Sequence, residues 1–134
     1  MKTDSFPPSA HRSGFSLVEV LVAVALIGII TFLAFPNIVA VKEDSEKSLA
    51  IARAEAINMA VSSLIQSQGR VQATTAWAAA SSDQNKYALI NPYLAYAPTT
   101  VTEFMPTGYT LEFPNSLAVL SKVKLWRGAT EIIY

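Results

Sequence analysis

Between residues 15 and 41 this chain has a single ionisable side chain, Glu19. The surrounding run, FSLVEVLVAVALIGIITFLAFPNIVAV, is otherwise interrupted only by Ser16, Gly28, Thr31, Pro36 and Asn37. A helix of about 20 residues rises about 30 Å, the thickness of a bilayer's hydrocarbon core. The stretch from Val20 to Val41 has 22 residues, so one helix of this composition is long enough to cross a membrane. Basic residues before it (Lys2, Arg12) and Lys42 after it incline the N-terminal side only weakly toward the cytoplasm.

Composition sharpens this division. Apolar residues make up 51% of the 134 and charged ones 15%, against about 25% charged in ordinary soluble domains. The apolar excess lies in the front segment, and the rear reads as a small water-exposed domain. Ten basic residues balance ten acidic ones, so no global positive charge points to nucleic acid. There is no cysteine, which removes disulfides, thiolate zinc sites and cysteine nucleophiles from consideration.

Three kinds of segment have this hydropathy. A secretory signal peptide has a shorter apolar core of about 7–15 residues and a small-residue cleavage site behind it; the sequence after Pro36 offers no good site of that kind. A plain signal anchor fits the hydropathy but gains nothing from Glu19, since a carboxylate near a bilayer centre costs about 2.5–3.5 kcal/mol, and less toward an end. Nor does an anchor explain the abrupt junction at Gly14-Phe15, where a polar leader, MKTDSFPPSAHRSG, meets the apolar run. The leader has nothing to bury and is expected to be unstructured.

The stretch Gly14-Phe15-Ser16-Leu17-Val18-Glu19 closely resembles the processing site of prepilins, and the resemblance extends over about residues 9–45. It implies that a membrane-embedded prepilin peptidase cuts after Gly14 and N-methylates Phe15. It makes Glu19, fifth from the cut, the hallmark carboxylate, and Pro36 the proline frequent farther along that helix. The resemblance also implies a type IV pilin-like or type II secretion pseudopilin fold, α+β, with a long N-terminal helix packed on a small antiparallel sheet. Its expected partners are the peptidase, other pilin or pseudopilin subunits, an inner-membrane assembly platform and membrane lipid.

Each position has a physical rationale. A glycine lets the scissile bond enter a tight cleft in extended form. The amine freed at Phe15 is costly to bury unpaired, and Glu19, one helical turn on, supplies a counter-charge that also sets register between subunits. Pro36 removes a backbone hydrogen bond, bending or locally melting the helix. Gly28 weakens the same helix by about 1 kcal/mol relative to alanine, although both residues are also tolerated in ordinary membrane helices.

Behind the apolar run, no Gly or Pro occurs from Asn37 to Gln68, so the helix is expected to continue to Gly69. Lys42 with Glu46, and Glu43 with Lys47, are spaced for surface ion pairs. Leu49, Ile57, Val61 and Leu64 form a narrow apolar stripe for packing on a sheet. The expected organisation is a leader over 1–14, an assembly helix over 15–41, an amphipathic half over 42–68 and a small head over 69–134. Within the head, 70–107 reads as a connection with one helical turn at Ala76–Ala80 and a second short helix capped by Ser82 or Asp83. Tyr109, Leu111 and Phe113 alternate as a strand. Leu117, Val119, Val123 and Leu125 share one face of a longer strand, and Arg127-Gly128 turns into a last strand over 129–134.

No catalytic chemistry is expected. His11 lies in the leader, the carboxylates of the head are scattered singly, and calcium would need several clustered oxygen ligands. No cofactor or metal is therefore anticipated. Trp77 and Trp126 read as packing residues. Two further readings remain at this stage: a membrane-anchored periplasmic binding or adhesion module that never polymerises, and a DNA-uptake pilin drawing on Lys122, Lys124 and Arg127.

Overall fold

A helix that must satisfy its own backbone in an apolar environment and then carry a domain needs few breakers, and residues 17–68 contain only Gly28 and Pro36 as such. In the computed structural model, which describes residues 14–134, this stretch forms one helix, α1, Leu17–Gln68, of 52 residues. It runs without interruption past Gly28 and Pro36. Expectations about the leader, including its lack of structure, fall outside the described residues except at Gly14. The chain divides into one unit ending at Ala40 and a second, Val41–Tyr134. The first described unit is apolar helix with every residue exposed. Thr31, its hydroxyl-bearing residue between Val20 and Pro36, donates to the Ile27 carbonyl at 2.8 Å, which leaves no free polar hydrogen there.

The second unit builds its core on the rear of α1. Ala50, Ala54, Ile57, Ala60, Val61 and Leu64 are buried, repeating at three- and four-residue steps as a helix face must. The stripe differs from expectation at its start. Leu49 is 44% exposed and its place is taken by Ala50 and Ala54, because small side chains admit neighbouring elements close to the helix backbone. Gly69 ends α1 at φ 83°, its N–H bonded to Ile65 O at 2.9 Å. That left-handed turn redirects the chain at once into α2, Arg70–Ala79. Here the single turn expected at 76–80 is corrected to ten residues: Ala73 and Trp77, four apart, are both buried, a period that alanine-rich polar sequence obscures.

α3, Asp83–Ile90, starts as expected at Ser82, whose hydroxyl accepts the Asn85 N–H at 3.2 Å. A four-residue turn, α4, Val101–Phe104, occupies sequence read as loop, and the Thr100 hydroxyl accepts the Glu103 N–H at 3.3 Å. β1, Tyr109–Glu112, β2, Lys124–Arg127, and β3, Thr130–Ile132, form an antiparallel sheet in the order β1-β2-β3. Tyr109 faces Arg127 and Leu111 faces Leu125; the β2–β3 hairpin turns at Gly128, φ 60°. This is the α+β, pilin-like arrangement expected: a long helix and a small three-stranded antiparallel sheet.

The long strand read through 117–125 is corrected. Leu117, Val123 and Leu125 are buried, but Val119 is exposed and pairing begins only at Lys124. Side chains satisfy the backbone where a ladder was expected. Asn58 Oδ1 accepts the Val123 N–H at 3.0 Å, the Tyr134 hydroxyl donates to Val123 O at 2.5 Å, and Ser116 Oγ accepts the Ala118 N–H at 3.1 Å. Trp77, fully buried, anchors the start of this loop by donating from Nε1 to Pro114 O at 2.8 Å. Trp126 lies on the outer face, donating to Glu112 Oε2 at 3.1 Å.

Candidate processing and assembly segment

The local sequence decides how the helix begins. Residues 14–16 are non-helical, and the first helical bond runs from the Val20 N–H to Ser16 O at 3.2 Å. Ser16 is thus the cap residue. Its hydroxyl accepts the Val18 N–H at 3.3 Å, while Glu19 Oε2 reaches back to accept the Ser16 N–H at 2.8 Å. Serine at the cap with glutamate three residues on is a capping box, which satisfies two otherwise orphaned donors. The Ser-x-x-Glu spacing is the sequence signal for this box, and it gives Glu19 a local partner besides the Phe15 amine.

Phe15 is 91% exposed, and a Cβ built on Gly14 would meet nothing within 4 Å. Among the described residues, nothing packs closely enough on position 14 to demand a glycine there. Farther along, Gly28, Thr31, Phe32, Phe35 and Pro36 line one shallow apolar groove of about 660 Å³. Gly28 supplies the depression and the two phenylalanines its walls, so the residues singled out for bending also shape a surface. α1 passes the length and composition test for a membrane-crossing helix, with a mean hydropathy of 2.7 in its most apolar window.

Elsewhere the three basic residues of the C-terminal part are each paired. Lys122 pairs with Glu55 at 2.6 Å, Lys124 with Glu112 at 3.7 Å and Arg127 with Glu43 at 3.5 Å. Lys42 meets Glu46 at 3.8 Å as expected, whereas Glu43 turns to Arg127 instead of Lys47. The hydrogen bond from Lys122 holds the Glu55 carboxyl below its usual range, and the same bond holds the Lys122 ammonium above its own. Among the described residues, no group of three or more His, Cys, Asp or Glu side chains is placed to hold a metal.

The match to known proteins falls on the segment just described. The family described as the prokaryotic N-terminal methylation motif matches residues 9–35, which is 27 of the 134. This is the prepilin-type cleavage and methylation segment, and the likeness is confined to that stretch of the chain. The motif implies processing by prepilin peptidase and pilin-type assembly. No curated protein and no solved structure matches the chain.

Proposed function

We propose that this protein is a structural subunit, a pilin or pseudopilin, of a type II secretion or type IV pilus-like filament. Cleavage between Gly14 and Phe15 and N-methylation of Phe15 yield the mature subunit. It resides in the inner membrane with its head in the periplasm until α1 packs among the helices of neighbouring subunits, against the inner-membrane assembly platform. The observation that carries this reading is the methylation motif heading a helix whose apolar surface is uncovered throughout the first unit. Side chains left that way need lipid or other helices around them. In this reading Glu19 neutralises the Phe15 amine in the assembled state, and Gly28 and Pro36, which line the groove, are the positions where the helix bends on packing into a filament.

DNA uptake receives less support, because Lys122, Lys124 and Arg127 are each paired with a carboxylate and present no free positive patch. Mass spectrometry of the protein from cells containing the peptidase should find a chain starting at N-methylated Phe15; a chain still starting at Met1 refutes the processing claim. Glu19→Gln keeps a hydrogen-bond acceptor at the helix start and removes the charge. It should be cleaved normally yet fail to enter filaments. A cleaved, anchored wild-type protein that never co-purifies with filaments would favour the non-polymerising module.

A further inference from the structure

The geometry points to Ser16 as a positioning residue for cleavage: its capping box with Glu19 fixes where α1 begins and so keeps the Gly14–Phe15 peptide outside the helix. This inference rests on the processing reading and concerns how the substrate is presented.

Two helix starts compete in this sequence. Ser13 is three residues before Ser16 and is an equally good cap residue by type. A helix capped by Ser13 would place Gly14 and Phe15 in its first turn, and the Gly14 carbonyl would accept the Val18 N–H. In the observed start that N–H is already taken by the Ser16 hydroxyl, and the Ser16 N–H is taken by Glu19. Only the Ser16 frame has a carboxylate three residues on, since the residue three after Ser13 is Ser16 itself. Glu19 therefore selects between the frames before it neutralises anything.

Hydrolysis of this bond adds water across it, breaking the Gly14 C to Phe15 N bond and leaving a Gly14 carboxylate and a Phe15 amine. A peptidase must reach the carbonyl carbon and polarise its oxygen. A helical carbonyl is already engaged and is hemmed in by the side chains of its own turn. The observed start leaves Phe15 exposed and leaves open space around Gly14. Because no described residue packs on that glycine, its small size is available to the enzyme.

The test uses full-length chain in detergent micelles with purified prepilin peptidase, comparing wild type with Ser16→Ala, Ser16→Thr and Glu19→Gln. Losing the cap lowers the fraction of chain in the cleavable frame, which appears as a raised KM with kcat unchanged. Ser16→Ala should raise KM by as much as about fivefold, the full factor of a cap worth about 1 kcal/mol, whereas Ser16→Thr and Glu19→Gln, which keep the box, should leave it at the wild-type value. In parallel, the ¹³Cα chemical shifts of Gly14 and Phe15 should move toward helical values in Ser16→Ala alone. Equal KM for Ser16→Ala and wild type, with wild type cut, overturns the inference and leaves the processing reading standing. Slower cleavage of Ser16→Ala without the helical shift also overturns it, because Ser16 would then be touching the peptidase directly. A wild-type chain left uncut overturns the processing reading and this inference together.

Discussion

Glu55 sits where three side chains meet: its carboxylate accepts from Lys122 at 2.6 Å and from Asn58 at 3.3 Å, while Asn58 also bonds Tyr134 and Val123. The pH dependence of this cluster follows from its shifts. The Glu55 carboxyl is lowered by the Lys122 bond, so its stabilisation is present above the ordinary carboxylate range and is lost as pH falls through the depressed folded value. Lys122 is raised by the same bond, so its contribution is full below the ordinary lysine value and disappears as pH rises through the raised one. Thermal unfolding followed by near-ultraviolet circular dichroism should give a plateau around neutrality, and Glu55→Gln should flatten its acid edge. Both groups are solvent-exposed, and the effect should shrink in high salt. Glu19 and Pro36 stand out in the sequence because each is an odd residue in an otherwise apolar run, and Gly14-Phe15 because a polar stretch ends there. Asn58 was not, since its partners lie 65 and 76 residues away and no local pattern announces them.

Elements were legible in proportion to their length and the regularity of their period. α1 was readable almost to its ends, because 52 residues with a Gly just beyond leave little choice. α2 was under-read, its buried pair Ala73 and Trp77 hidden among threonines and alanines, and the loop before β2 was over-read as strand because buried residues alternate there by chance of side-chain capture. Two substitutions probe these joints. At Gly69 an added Cβ meets nothing within 4 Å, so Gly69→Ala should cost the backbone strain of a positive φ with extended ψ (83°, 151°), about 1–3 kcal/mol, in denaturant titration. At Ala54, which is fully buried, Ala54→Leu should force the head's elements away from α1 and cost about 1–3 kcal/mol in the same measurement.

For the molecule as a whole, an α+β head behind an uncovered apolar helix divides the labour between two units of very different surface. The long apolar helix was readable because it is written in contiguous residues. The head's topology was readable only in outline, because its core joins residues that are distant along the chain. That distance has a consequence in time. The face from Ala50 to Leu64 acquires its full cover only when β2, β3 and Tyr134 arrive, and Asn58 waits 76 residues for the Tyr134 hydroxyl. At a synthesis rate of about 5–20 residues per second, that wait is about 4–15 s. During this interval the apolar segment is already able to enter a bilayer while the scaffold face behind it is still bare. The nascent chain at that point is a finished apolar helix joined to an unfinished scaffold, and it is most open to proteases before residue 134 is added.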